Sequence, residues 1–350
     1  MDLALRLGRR ALGTTAENPN VGCVLVKNEA LVGAGCTQPG GRPHAEAMAL
    51  EMAGDAAENA TAYVTLEPCA HHGRTPPCAL ALMKSGISRV TIAMDDPDPR
   101  VSGKGIEILR NAGIAVEIGD GAEEARRDLA GFLTRILKKR PYVTLKLGIS
   151  SDFRIAAKPG VRSTITGEES GRRVHLLRAQ SDAVLIGLST ALADDPELTC
   201  RLPGMEKRSP VRIVVDSRLS IPSHLKLVKN ATDVPLWLLS TRKGPMGPGI
   251  TVVDCLSGPN KWVDFADALK RLGERGINRL LVEGGSFVAR SFLDLGLVDE
   301  VQLFEAPVTL GEGALEAVAG LDREQVLRDF DLREQEKLGG DVLSVYVKRG

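Results

Sequence analysis

His44-Ala45-Glu46, then Glu67-Pro68-Cys69, then, after Ala70-His71-His72-Gly73-Arg74-Thr75-Pro76-Pro77, Cys78: the rest of the chain is organised around this split stretch. One imidazole, two thiols and a carboxylate two residues from the imidazole are the parts of a zinc site that activates water and moves its proton. Three protein ligands leave one tetrahedral position free for water, whereas a structural zinc is closed by four. Hydrolysis is the chemistry to expect. Pro43 suits a helix start, with His44 in the first turn and Glu46 just behind it. Residues two apart on an ideal helix point about 200° away from each other, so the pair converges only at the helix mouth. Pro76-Pro77 precede Cys78 and a helical run over 79–85 in the same way, and a cysteine at a helix N-terminus is readily a thiolate. The competing reading, ordinary core residues or a structural metal, accounts less well for the three pieces together.

Outward from this site, 350 residues exceed what one core usually supports, so two domains are expected. With 45 basic and 45 acidic residues the net charge is zero, which offers no broad field for a nucleic acid or an anionic membrane. Residues 1–13 read as an amphipathic helix rather than a signal peptide, and no apolar run reaches the roughly 18 residues of a membrane span. A soluble, cytoplasmic chain is expected. Cys23, Cys36, Cys200 and Cys255 lack a partner motif and read as small buried hydrophobes, leaving Cys69 and Cys78 for the metal.

The first part predicts a hairpin over 21–26 and 31–36, helices over 45–53, 78–85 and 105–112, and strands over 62–66, 89–94 and 114–118. A charged helix over 123–139 ends in Lys138-Lys139-Arg140-Pro141, read as a solvated helix end stopped by proline. The domain boundary is placed there, giving 1–141 and 142–350. In the second part strands are expected at 143–147, 183–187, 211–215, 236–239, 279–282, 301–304 and 342–347. Helices are expected at 168–180, 263–275 and 286–295. Both halves are therefore α/β, with no internal repeat.

The eight-residue spacer between Cys69 and Cys78 departs from the short cysteine spacing of common nucleobase deaminases. Together with Asn18-Pro19-Asn20-Val21-Gly22 and Asp96-Pro97-Asp98-Pro99-Arg100-Val101-Ser102-Gly103-Lys104-Gly105, it resembles the deaminase half of the bifunctional riboflavin-biosynthesis deaminase/reductase family. The resemblance implies a cytidine-deaminase-like three-layer α/β/α domain in which His44, Cys69 and Cys78 hold one zinc. It makes Glu46 the proton shuttle. Asn18, His71 and Arg74 fall to a diaminopyrimidinone substrate carrying a phosphoribosylamino group, with Arg74 a candidate for the phosphate. Asn18-Pro19 alone would read as a turn before a strand.

In the second half, Leu280-Leu281-Val282-Glu283-Gly284-Gly285-Ser286-Phe287 runs from a strand through two glycines into a helix, a connection that can bring backbone N–H groups to a phosphate but is also a common turn. No GxGxxG follows a first strand, which argues against a Rossmann domain. Asp194-Asp195-Pro196, flanked by Arg178 and Arg201, reads as a salt-bridged turn or as arginine forks for a phosphate. With Tyr142-Val143-Thr144-Leu145-Lys146, Ile165-Thr166-Gly167-Glu168 and Val215-Asp216-Ser217, these runs resemble the reductase half of the same family. That implies a dihydrofolate-reductase-like α/β domain using NADPH to reduce the opened ribose to a ribityl chain. By position the NADPH site takes Thr164, Thr190, Asp194, Ser217, Gly285 and Ser286. The sugar-phosphate site takes Lys146, Arg162, Arg178, Leu198, Arg201 and Glu283.

Two departures stand out. Ser150-Ser151-Asp152-Phe153 replaces an S-x-D-G turn, and phenylalanine does not adopt positive φ cheaply. Thr164 stands where an aromatic residue usually precedes Ile-Thr, with Arg162 where serine is common. These motivate an alternative, a zinc deaminase whose second domain is a non-catalytic binding or regulatory module. A nucleic-acid-editing deaminase would want a basic, aromatic-lined path, against 3% aromatic residues here. A zinc-stabilised scaffold would want a fourth ligand. A small-molecule substrate, no nucleic acid or membrane partner, and a homo-oligomer are the expected setting.

Overall fold

The structure is a computed structural model that describes residues 1–71, 76–158 and 163–350. It divides into two compact units, Met1–Lys139 and Arg140–Gly350.

The first unit is a five-stranded sheet of order β2-β1-β3-β4-β5, built from Gly22–Lys27, Ala30–Cys36, Thr61–Val64, Arg89–Ile92 and Ala115–Ile118 as β1 to β5. The expected hairpin is present as antiparallel β1 and β2, and β3, β4 and β5 run parallel. Helices cover both faces. On one lies α1 (Asp2–Arg10), close enough that a side chain on Gly22 would overlap the Ala4 carbonyl. On the other lies α2 (Ala45–Ala53), where a side chain on Gly35 would meet the Ala45 carbonyl oxygen at 2.5 Å. Helices α3 (Cys78–Lys84) and α4 (Lys104–Asn111) complete the crossovers between the parallel strands. The helix expected over 123–139 is two, α5 (Ala122–Asp128) and α6 (Ala130–Lys138). The bend falls at Leu129, with φ −89° and ψ 2°, and keeps its side chain in the core at 1% exposure.

The second unit begins with a correction. Arg140 is not part of a solvated helix end: its guanidinium forks onto Asp299 at 2.6 and 2.8 Å, and Asp299 also accepts from the Val143 N–H at 2.9 Å. This anchors the first strand, β6 (Tyr142–Ser150), which is followed by β7 (Arg154–Ala156). Then come α7 (Glu168–Ala179), β8 (Ala183–Gly187), α8 (Leu188–Asp194), β9 (Val211–Val215) and α9 (Lys226–Lys229). Next are β10 (Leu236–Ser240), β11 (Ile250–Asp254), α10 (Phe265–Glu274), β12 (Arg279–Gly284) and α11 (Ser286–Asp294). The chain finishes with β13 (Glu300–Ala306), β14 (Leu315–Glu316), α12 (Arg323–Leu327), β15 (Phe330–Leu338) and β16 (Asp341–Lys348).

Nine strands form one sheet in the order β11-β10-β9-β8-β12-β6-β13-β16-β15, parallel as far as β13 and antiparallel beyond it. Apolar side chains leave both faces. Leu145, Leu185, Ile213 and Val282 pack toward Phe292 on one side, and Val184, Ile186, Val214 and Leu281 form the other core. The seven expected strands are all present. The edge strand β15 was not expected, because Asp331-Leu332-Arg333-Glu334-Gln335-Glu336-Lys337 is exposed throughout and carries no apolar alternation. Charge on such an edge discourages pairing with another chain.

The turn after β6 requires a left-handed residue, and Phe153 adopts φ 59° there. Asp152 holds that turn by accepting from Ser150 Oγ at 2.6 Å and from the Leu310 and Gly311 N–H groups at 3.1 and 2.8 Å, which pull its carboxyl down to about 2. The ring of Phe153 packs on the core and lies 5.8 Å below the Arg323 guanidinium. Left-handed strain costs about 1–2 kcal/mol, and burial of part of the ring returns a similar amount. We therefore expect Phe153→Ala, which keeps the strain and loses the ring, to be less stable than Phe153→Gly by about 1 kcal/mol. Chemical denaturation of both variants checks the order. Alanine above glycine, as at an ordinary negative-φ position, would contradict the account.

Candidate active sites

His44 is not in the first turn of α2 but immediately before it, at the N-cap, with extended backbone at φ −71° and ψ 161°. That placement lets its ring and Glu46 face one cleft. His44 Nδ1 lies 3.3 Å from Cys78 Sγ and 3.7 Å from Cys69 Sγ, and the three ligand atoms fall within 4.8 Å of one another. Nitrogen and sulfur sharing a tetrahedral zinc at ordinary bond lengths stand about 3.6 Å apart, so the cluster has the size and donor set of a zinc site. Cys78 opens α3, and its N–H donates to Cys69 Sγ at 3.2 Å. Without a metal, hydrogen bonding from Cys78 holds the Cys69 thiol down to about 4, while the same contact and burial push Cys78 up. Burial first, and then the Cys69 charge, push Glu46 up to about 7. A bound dication favours the charged form of all three, reversing the upward shifts of Cys78 and Glu46 and reinforcing the downward one of Cys69.

The loop bearing Cys69 is held by a residue to which the sequence alone assigns no role. Glu67, 3% exposed, accepts four backbone N–H groups: Asp96 at 3.2 Å and Gly103 at 2.9 Å on Oε2, Gly105 at 2.9 Å and Ile106 at 3.3 Å on Oε1. A buried carboxylate needs such donors. The clamp brings the segment 96–106 against Pro68 so closely that a side chain at Gly105 would overlap the Pro68 carbonyl oxygen. The same segment walls a cleft of about 340 Å³ that Asn18, His44, Glu46, Cys69 and His71 also line. His71 Nδ1 and His44 Nε2 are buried there without hydrogen-bond partners among the described residues. Asp98 is forked by Arg100 at 2.5 and 3.0 Å, and burial pushes Asp96 up to about 6. Arg74 lies outside the described residues.

In the second unit a cleft of about 270 Å³ opens at the carboxyl ends of β6 and β12. Among its lining residues are Lys146, Thr164, Thr190, Asp194, Glu283 and Gly285. Gly284 and Gly285 face Thr190 so closely that added Cβ atoms would stand 3.1 and 3.2 Å from its side chain, a bare backbone cradle that fits a dinucleotide pyrophosphate. Ser286 follows as the first residue of α11 and is 5% exposed. Arg178 forks Glu283 at 2.6 and 2.7 Å and also donates to the Thr199 carbonyl at 3.1 Å. Burial would raise Glu283, but Arg178 and Lys146 outweigh it and hold the carboxyl below its ordinary value. Lys146 is held below its own, chiefly by burial. Two cations against one carboxylate leave a positive surplus for an anionic substrate.

The remaining residues singled out in the sequence lie elsewhere. Leu198, at φ 55° and 3% exposure, belongs to the core, and Arg201 reaches Glu197 at 3.5 Å on the surface. Ser217, at the end of β9, is not among the residues lining this cleft, and Arg162 lies outside the described residues. Of the arginines flanking Asp194-Asp195, Arg178 pairs with Glu283 and Arg201 with Glu197, and Asp195 receives the Lys226 N–H at 2.8 Å.

Comparison with known proteins adds the following. Residues 1–94 match the cytidine and deoxycytidylate deaminase zinc-binding region, and residues 141–344 match the RibD C-terminal domain. The chain is 41% identical to the riboflavin biosynthesis protein RibD of Aquifex aeolicus, covering 100% of this chain and 97% of the relative. It is 42% identical to the RibD of Escherichia coli, covering 98% and 96%. A crystal structure from Thermotoga maritima, of a diaminohydroxyphosphoribosylaminopyrimidine deaminase/5-amino-6-(5-phosphoribosylamino)uracil reductase, aligns with a TM-score of 0.89 at 34% identity, covering 100% of this chain and 97% of that one.

The clamp makes a test of zinc retention. Protein purified without chelator is expected to hold about one zinc per chain. Gly105→Ala should displace the Pro68-Cys69 loop, lower stability by about 1–3 kcal/mol and lower zinc occupancy after dialysis. Full occupancy in a destabilised variant would mean that the Glu67 clamp does not position Cys69.

Proposed function

The chain belongs to the family of the riboflavin biosynthesis protein RibD, and we propose that its first unit carries the deamination and its second the reduction. It is a bifunctional enzyme of riboflavin biosynthesis, a zinc-dependent deaminase and an NADPH-dependent reductase. Its substrate is 2,5-diamino-6-(5-phosphoribosylamino)pyrimidin-4(3H)-one, whose exocyclic amine leaves as ammonia and whose ribosyl group is then reduced to ribityl. The observation that carries the first step is the convergence of His44, Cys69 and Cys78 within 4.8 Å.

Zinc held by His44, Cys69 and Cys78 supplies a Lewis acid that makes water nucleophilic near neutral pH. Glu46, in the same cleft, takes the proton from that water and returns protons to the ring nitrogen and the departing amine. The Asn18 amide can both donate to and accept from the pyrimidine edge, and His71 has a buried ring nitrogen to offer it. Arg74 is assigned to the phosphate.

NADPH supplies the hydride of the second step. Thr190, Asp194, Gly285 and Ser286 hold the cofactor, with Thr164 beside the nicotinamide and Ser217 farther along the strand ends. Lys146, Arg178 and Glu283 face the sugar; Arg162 and the exposed Arg201 are assigned to the same substrate, and Leu198, its side chain in the core, to the wall behind it. A phosphate suits Lys146 because Glu283 is already matched by Arg178. Support for an active second unit, against a non-catalytic module, comes from Phe153: the turn accepts it with its ring packed. The substrate is a small molecule, and no helix among the described residues is long and apolar enough to cross a membrane. The setting we propose is the cytoplasm, with the chain as a homo-oligomer.

Glu46→Gln should slow deamination by about 10²–10⁴-fold, while the variant given already deaminated substrate still consumes NADPH. Product masses from incubations with and without NADPH check both halves. Deamination surviving the substitution would remove Glu46 from the proton path, and deaminated product with NADPH untouched would favour the non-catalytic alternative.

A further inference from the structure

Helix α7 carries His175 and Arg178 one turn apart, and both side chains end at the Thr199 carbonyl. His175 Nδ1 stands 3.0 Å from that oxygen, and Arg178 Nη1 donates to it at 3.1 Å. The Arg201 N–H, two residues on, points at the same His175 Nδ1 from 3.3 Å. One ring nitrogen therefore faces an acceptor and a donor of a single short segment. With its proton on Nδ1 the ring donates to Thr199, and with its proton on Nε2 it accepts from Arg201. In either tautomer the same nitrogen ties the segment to α7. Burial first, and then Arg178 and Arg201, hold the ring below its ordinary pKa, against the Thr199 carbonyl and Glu283, which raise it. The ring is thus neutral near pH 7, the charge state in which both arrangements are open to it.

The tied segment is otherwise held from its outer side. Leu198 is buried at φ 55°, and the Cys200 N–H donates to Ser209 Oγ at 3.1 Å. Arg201 is exposed, and its guanidinium makes long contacts to Glu197 and Thr199 Oγ1, at 3.5 and 3.4 Å. A half-buried histidine touching backbone is ordinary by itself. This one sits between the two arginines assigned to the sugar-phosphate, receives the backbone N–H of one and shares a carbonyl with the other, which is itself forked onto Glu283 in the cleft wall. We infer that His175 is a positioning residue for the reduction: by holding the Thr199–Arg201 segment against α7, it aims the Arg201 guanidinium at the anionic substrate. The inference rests on the reductase reading above and on the assignment of Arg201 to that substrate.

The test follows NADPH absorbance while the full-length protein reduces the deaminated substrate. His175→Leu, which fills a similar space without a polar atom, should raise KM for that substrate about tenfold, with kcat and the KM for NADPH within about twofold of wild type. His175→Asn, whose amide returns a polar atom near the position of Nδ1, should bring KM back to within about threefold. Since the effect runs through Arg201, His175→Leu/Arg201→Ala should have the same KM as Arg201→Ala alone. An unchanged KM in His175→Leu, an asparagine variant no better than leucine, or losses that multiply in the double variant overturns the inference and leaves the reductase reading intact. So does a His175→Leu protein that loses kcat, NADPH affinity and melting temperature together, since that marks a purely structural residue. A wild type that leaves NADPH untouched overturns both.

Discussion

A carboxylate taken out of water must be met by donors, and in each unit one such carboxylate organises the loops of a site. Glu67 gathers N–H groups from residues 96, 103, 105 and 106, so the strand-end loop with Cys69 and the wall of the first cleft become one body. Glu283 does the same for the second cleft through the Arg178 fork, which continues to the Thr199 carbonyl. Removing one partner of a buried fork strands the other charge at a cost of about 3–5 kcal/mol, so the pair holds the wall of the cleft in place. Arg178 in particular is oriented by Glu283 and the Thr199 carbonyl before any substrate arrives.

The same economy of position governs the zinc cluster. Its three ligands come from the loop after β3, the residue before α2 and the first residue of α3, the last two being helix starts where backbone N–H groups are still free. One of those N–H groups, from Cys78, is spent on the Cys69 sulfur. Placing His44 outside the helix and Glu46 inside its first turn turns two residues that would diverge on a regular helix toward one cleft. The second unit reaches a comparable result by topology: seven parallel strands present their carboxyl ends along one edge, and the segments after β6, β8, β9, β10 and β12 are gathered there.

Much of this architecture was legible in the chain. Strands with apolar runs and helices with 3.6-residue periodicity were found close to where the patterns put them, because burial of one face is what those patterns encode. The strand β15 was not legible, since an exposed charged edge buries nothing and leaves no pattern. Nor was the bend at Leu129, inside a run whose helical periodicity continues on both sides. The turn at Phe153 was legible only as a conflict; the structure meets it with a positive φ and a packed ring.

Residue chemistry and spacing by themselves determined the two α/β units in their order and the His, Cys and Cys set suited to zinc, because both depend on what neighbouring residues in the chain can bury or bind. Tertiary structure alone decided that Arg140 anchors Asp299, that Arg178 belongs to Glu283, that Glu67 clamps the segment 96–106, and that Thr241 donates to the Ser217 carbonyl. Those partners stand 159, 105, 38 and 24 residues apart. Ion pairs and hydrogen bonds at such separations are chosen by which strands become neighbours in the sheet, and no local periodicity carries that information.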